Sequence, residues 1–173
     1  MKQNIRHIIF DLGGVLLNLD VEGCTRAFEK AGLKDIRSVL TGTNEGGDGI
    51  RQLASQSLTD DEIDRMWVNE LLDIPQEKLD LLVSLRSKYD IYLLSNTNEL
   101  HWQHVVESLL PQQNYRVEDL FKETFLSFRM KLAKPDPEIF REVLRQAGLK
   151  PEETARLHSL SASKQNITNP AMT

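Results

Sequence analysis

Ile5-Arg6-His7-Ile8-Ile9-Phe10-Asp11-Leu12-Gly13-Gly14 is the stretch on which the fold turns. Its apolar run, Ile8-Ile9-Phe10, stops at an acid and two adjacent glycines. That pattern predicts a short buried strand from Ile5 to Phe10, followed by a tight turn where the backbone must approach something closely. The same grammar recurs downstream. Ile91-Tyr92-Leu93-Leu94 ends in Ser95-Asn96-Thr97-Asn98, and Glu123 to Phe128 reads as a third strand.

Helical patterns separate these runs. Val21 to Ala31 has helical periodicity and is closed by Gly32. Thr59-Asp60-Asp61-Glu62 is a capping box that starts a helix through Asn69. Pro75 opens a helix over Gln76 to Lys88, with Leu79, Leu82, Val83 and Leu85 as its apolar stripe. Another helix follows from about Glu99 to Leu110. Asp136 and Pro137 open a further one as N-cap and first residue, and Gly148 closes it. Strands alternating with helices imply an α/β fold with a parallel sheet. The stretch between the first two strands is too long for a simple crossover and reads as an inserted helical cap. The division expected is a core of residues 1–18 and 75–154, a cap of 19–74 and a tail of 155–173.

Composition sets outer bounds. The chain has 173 residues, 40% hydrophobic and 27% charged, which suits one soluble domain with a small insertion. A formal net charge of −5 argues against nucleic-acid or acidic-membrane partners, while leaving room for a small anionic substrate in a locally different field. The single cysteine, Cys24, permits no internal disulfide and reads as a packing residue. The apolar run near the N-terminus is too short for a signal or a membrane span, so a cytoplasmic location is expected. Oligomeric state stays open between monomer and homodimer.

In open α/β sheets, ligands bind beyond the carboxyl ends of the strands. Three polar clusters fall at such places: Asp11 with Gly13 and Gly14, Ser95 with Asn96, and Lys134 within Leu132-Ala133-Lys134-Pro135-Asp136-Pro137. A carboxylate, a hydroxyl with an amide and an ammonium match the needs of phosphoryl transfer: one group attacks, and the others orient and neutralise the phosphoryl oxygens.

Phe10-Asp11-Leu12-Gly13-Gly14-Val15-Leu16 resembles the first motif of the haloacid dehalogenase (HAD) superfamily of aspartate-nucleophile phosphatases. Leu93-Leu94-Ser95-Asn96-Thr97-Asn98 resembles the second motif, and Lys134-Pro135-Asp136-Pro137-Glu138-Ile139-Phe140 the third. Each alone is modest; the three in this order are specific. The nearest pattern is the small-helical-cap subgroup that includes sugar-phosphate phosphatases. The resemblance implies a HAD-like, Rossmannoid parallel sheet with an inserted helical cap. It implies that Asp11 attacks phosphorus, that Mg²⁺ is the cofactor, held by Asp11 and the Gly13 carbonyl, and that Lys134 balances charge. Leu12, Gly13, Gly14, Ser95, Asn96 and Lys134 would bind the phosphate of a small phosphorylated metabolite.

Two departures qualify what the resemblance implies. The family usually places a second Asp two residues after the nucleophile, as general acid and base; Gly13 stands there and has no proton to give. After Lys150-Pro151-Glu152-Glu153-Thr154 the family expects an apolar strand ending in two acids, but Ala155 to Thr173 contains no Asp or Glu. Arg156 and His158 interrupt the apolar run, so the C-terminal core strands are expected to be missing or altered. The tail should be mobile or irregular and Mg²⁺ binding weak. A shifted or truncated reading frame would produce so abrupt a change at Thr154. These departures keep two alternatives in view: a catalytically impaired phosphate- or partner-binding protein, and a haloacid dehalogenase.

The remaining candidates read more plainly. His101 and His104 lie three apart on a helix without a third metal ligand, so packing or surface roles are expected. Trp67 and Trp102 read as core anchors. Asp60, Asp61, Glu62 and Asp64 read as charge complementing a helix dipole. Asp20 reads as solvated loop, and Glu45-Gly46-Gly47-Asp48-Gly49 as a joint within a short cap.

Overall fold

The computed structural model describes residues 4–33, 36 and 58–157, and the backbone of 167–168. Strands β1 (His7–Phe10), β2 (Asp90–Ser95), β3 (Glu123–Leu126) and β4 (Thr154–Leu157) pair in parallel in the order β3-β2-β1-β4. A two-residue strand, β5 (Ile167–Thr168), pairs antiparallel on the outer side of β4.

Alternation along the strands explains why their sequences read as continuous apolar runs. Ile8, Phe10, Ile91 and Leu93 face one layer, where Leu79 and Leu82 of helix α3 (Gln76–Arg86) pack with Trp102, Val105 and Leu109. Ile9, Tyr92, Leu94 and Phe125 face the other, against Ile139 and Val143 of a long helix, Pro137–Ala147. A parallel strand covered on both faces needs apolar residues at every position. Asp136 caps that long helix by accepting from the Glu138 N–H, Pro137 is its first residue, and Gly148 ends it with φ 65°.

Helix α1 (Val21–Lys30) and helix α2 (Asp60–Val68) build a separate apolar cluster from Cys24, Phe28, Leu33, Ile36, Ile63 and Trp67. Asp20 belongs to the helix as its N-cap, accepting from the Gly23 N–H. The capping box at Thr59 forms with both of its bonds. The chain enters and leaves this helical segment side by side: Asp20 N–H donates to Glu70 O at 2.8 Å, Leu72 N–H to Asn18 O at 3.0 Å and Asn18 N–H to Asp73 O at 2.9 Å. The Glu45–Gly49 joint lies outside the described residues, as does the tail from His158 onward, apart from the β5 backbone.

Two sequence expectations are corrected. The third strand ends at Leu126, and Ser127–Met130 turns into a short helix. More consequentially, Ala155-Arg156-Leu157 join the sheet as part of β4, in register with Ile8, Ile9 and Phe10 of β1. Arg156 is tolerated because its guanidinium lies 4.0 Å from the centroid of the Phe140 ring. The cation is drawn to the ring face while its alkyl stem covers apolar surface. Burial pushes the Arg156 pKa down from its ordinary value, in keeping with that half-buried seat.

Helix α4 (Glu99–His104) follows β2, is capped by Asn98 and continues through a π-helical turn, Val105–Leu109. It ties the two apolar clusters together. His101 is buried, its ring edge-on to Trp67 at 4.9 Å, and its Nε2 lies 3.2 Å from Trp67 O. A carbonyl only accepts, so Nε2 carries a proton. Burial is the main cause that lowers its pKa from 6.5 to about 4. The folded state therefore resists protonation, and stability is lost as pH falls from the unfolded value toward the folded one. His101→Gln, which keeps an N–H donor and does not titrate, should flatten that loss. Urea denaturation at about pH 7 and about pH 4.5 should show the wild type losing on the order of 2 kcal/mol more than the variant. Equal losses would show that His101 does not set the acid limit.

Candidate active site

The carboxyl edge of the sheet gathers the polar residues. The Asp11 N–H still donates to Leu157 O at 3.0 Å, which locks its backbone to β4 just where the side chain leaves the strand. Asp11 Oδ1 accepts from the Leu12 N–H at 2.8 Å and from Lys134 Nζ at 2.6 Å. Oδ2 takes no bond among the described residues. The pair is only partly exposed, 24% for Asp11 and 20% for Lys134, so solvent screens it less than a surface pair.

The glycine turn is closed by its own backbone. Leu16 and Leu17 N–H groups donate to Leu12 O, and the Gly14 N–H donates to Leu17 O at 2.8 Å. Gly14 has φ 72°, the left-handed region that favours glycine. Of the three turn N–H groups expected to hold phosphate, Leu12 gives its own to Asp11 and Gly14 gives its own to Leu17, leaving that of Gly13 uncommitted among the described residues. The Gly13 carbonyl is likewise outside the turn's bonds. A Cβ added at Gly13 would lie 3.1 Å from Leu19 Cδ1, so the space beside Gly13 is taken by an apolar side chain.

Ser95 ends β2 and is buried. Since Phe10 pairs with Leu93, Ser95 stands on the neighbouring strand one step beyond the level of Asp11. Among the described residues its hydroxyl makes only a long 3.4 Å contact with Asn96 O. Lys134 Nζ also donates to Leu94 O at 3.2 Å, which brings a third segment to the same edge. Asn96 is placed differently from expectation. Its Oδ1 accepts from the Lys134 N–H and its Nδ2 donates to Lys134 O, both at 2.8 Å, so both ends of the amide are engaged by protein.

Sequence reading missed two participants. Ser127, just past β3, accepts from the Thr97 N–H and donates to Thr97 O, both at 3.0 Å, pinning the loop after Ser95. Leu19, noted in sequence only as the start of the insertion, covers Gly13. Neither carries a local signal, because each acts on a segment distant in sequence or across a turn. The other candidates hold to packing. Burial, then the charges of Glu70 and Asp20, pushes the Cys24 thiol up to about 12, which leaves no reactive thiolate. Trp67 and Trp102 are buried in the two apolar clusters. Among the described residues no three His, Cys, Asp or Glu side chains gather as a metal cluster, and no helix is long and apolar enough to cross a membrane.

A strand-end aspartate paired to a lysine from a later loop, at the edge of a parallel sheet with a helical insertion after the first strand, defines the haloacid dehalogenase-like hydrolases. The profile of that family matches residues 5–155, and the chain belongs to it. Among its relatives, a D-ribitol-5-phosphate phosphatase of Bacteroides thetaiotaomicron is 29% identical over 166 residues, spanning 87% of this chain and 81% of its own. A HAD family enzyme of the same organism, crystallised with magnesium and inorganic phosphate, superposes with a TM-score of 0.79 at 43% identity, covering 88% of this chain and 84% of that one. A HAD-like hydrolase from Porphyromonas gingivalis superposes at 0.77 with 32% identity, covering 89% and 82%. An L-2-haloacid dehalogenase from Xanthobacter autotrophicus, 17% identical with a TM-score of 0.61 over 88% and 69%, shares the fold.

Proposed function

We propose that this chain is a Mg²⁺-dependent phosphomonoesterase acting on a small phosphorylated metabolite through an aspartyl-phosphate on Asp11. The observation that carries this reading is the Asp11 carboxylate, whose Oδ1 is tethered by Lys134 and the Leu12 N–H while Oδ2 is uncommitted. A carboxylate oriented on one oxygen and free on the other is prepared for nucleophilic attack. Oδ2 forms the new bond to phosphorus as the ester P–O bond breaks, and water later hydrolyses the acyl phosphate to release phosphate and Asp11. Lys134, the Ser95 hydroxyl and the Gly13 N–H would take the phosphoryl oxygens. Leu19 beside Gly13 offers no proton, so the leaving group would draw its proton from water. The segment 19–74 would act as a cap that closes over the substrate, in keeping with its separate apolar cluster.

The residues present fit Mg²⁺ loosely. The Asp11 carboxylate, through the oxygen that does not attack phosphorus, and the Gly13 carbonyl are hard oxygen donors, and Mg²⁺ accepts one or two carboxylates completed by water and substrate phosphate. When bound, the ion would screen the carboxylate from the phosphate. With one carboxylate at this edge among the described residues, weak affinity is expected; calorimetric titration giving tight binding would overturn that expectation.

Turnover of an aryl phosphate with and without Mg²⁺ tests the function. Metal-dependent release of phosphate supports it. Phosphate binding without turnover would favour the impaired binding protein, which the single carboxylate and Gly13 make the second reading. Metal-independent halide release from a 2-haloacid would replace both.

A further inference from the structure

We propose that Asn96 is a positioning residue for Lys134, acting through it rather than on the phosphate. The inference rests on the reading above that Lys134 balances charge at Asp11. Lys134 lies in the loop between the short Ser127–Met130 helix and the Pro137–Ala147 helix, with no strand ladder to fix its backbone. Its N–H and C=O are instead paired with the Asn96 amide at 2.8 Å each, across 38 residues of sequence. A side-chain amide presents the same donor and acceptor as a peptide, so Asn96 serves as one residue of a missing neighbouring strand. Asn96 directly follows Ser95, the last residue of β2. The rigid strand that carries Ser95 therefore also sets the backbone from which the Lys134 ammonium reaches Asp11 Oδ1 and Leu94 O.

A lysine stem is flexible, and loops hold functional groups less well than strands do. Fixing the backbone at both N and O removes the looseness that the stem alone would leave. Both bonds lie at the exposed surface, where water replaces lost partners, so they contribute little to stability. Asn96 should thus matter far more for the site than for the fold.

A double-mutant cycle reads this directly. Dissociation constants for inorganic phosphate, with Mg²⁺ in excess, would be measured for the wild type, Asn96→Ala, Lys134→Ala and the double variant. Asn96→Ala is expected to weaken binding about tenfold with a nearly unchanged Tm, and the double variant to match Lys134→Ala. Unchanged binding in Asn96→Ala, or additive losses showing that Asn96 meets phosphate itself, would overturn the proposal. Amide hydrogen exchange at Lys134 gives a second readout independent of phosphate. Its N–H should be protected in the wild type and in Asn96→Asp, which keeps the acceptor, and should exchange faster in Asn96→Ala. Equal protection in all three would likewise overturn it. A wild type that neither binds phosphate nor turns over an aryl phosphate would sink the phosphatase reading, while the exchange measurement would still decide the clasp.

Discussion

Asp11→Asn is expected to lower kcat for any phosphate ester by about ten-thousand-fold or more, leaving a folded protein. The amide has no anionic oxygen to attack phosphorus, so the acyl phosphate cannot form. Folding should survive, because an amide oxygen can still accept the Leu12 N–H bond that Asp11 Oδ1 now takes. The lost partner is the Lys134 ammonium, which keeps its bond to Leu94 O and its access to solvent. The variant should therefore keep a Tm close to wild type and still bind inorganic phosphate, since one anion has left a site that must hold another. Mass spectrometry must show that the introduced amide has not deamidated back to the acid. Wild-type turnover by a verified Asp11→Asn protein would end the nucleophile assignment.

Which parts of this arrangement were legible in sequence follows from how local each signal is. Ile8-Ile9-Phe10 and Ile91-Tyr92-Leu93-Leu94 announced buried strands because burial on both faces leaves no polar position. The caps at Thr59 and Asp136 were equally plain, since a cap is an interaction over three residues or fewer. The strand at Thr154–Leu157 was not, because Arg156 looks disqualifying until Phe140 is seen beneath it. That contact joins residues brought together only by the packing of a helix on a sheet. The position of Asn96 after Ser95 suggests a phosphate ligand, and nothing near it in sequence points to the Lys134 backbone. Asp20 is a helix cap that its sequence context does not announce, because its partner, Gly23, is an uncommon residue to find inside a helix. The chemistry at strand ends points to Asp11 and Lys134, which the fold brings into contact; the residues that hold them are not legible, since support comes from across the fold.

Lys134→Ala should weaken inorganic phosphate binding and lower kcat/KM for an aryl phosphate by about a hundredfold to a thousandfold. In the proposed reaction an anionic phosphate comes against the Asp11 carboxylate. Two like charges about 4 Å apart repel by roughly 4 kcal/mol at the effective dielectric of a protein surface. The ammonium at 2.6 Å from Asp11 Oδ1 is the one basic side chain paired with that carboxylate among the described residues, so alanine leaves the repulsion unbalanced. The loss should grow with the charge on the ligand, being larger for phosphate dianion than for a monoanionic analogue. Lys134→Arg should fall between: it keeps the charge, but the longer side chain and the fixed planar donor directions of a guanidinium do not match the seat where one ammonium meets both Asp11 Oδ1 and Leu94 O. Since the pair is partly buried, added salt should restore little of the difference between Lys and Ala. Phosphate affinity in Lys134→Ala equal to wild type at low salt would show that the ammonium does not balance the site, and the charge argument for phosphoryl transfer at Asp11 would go with it.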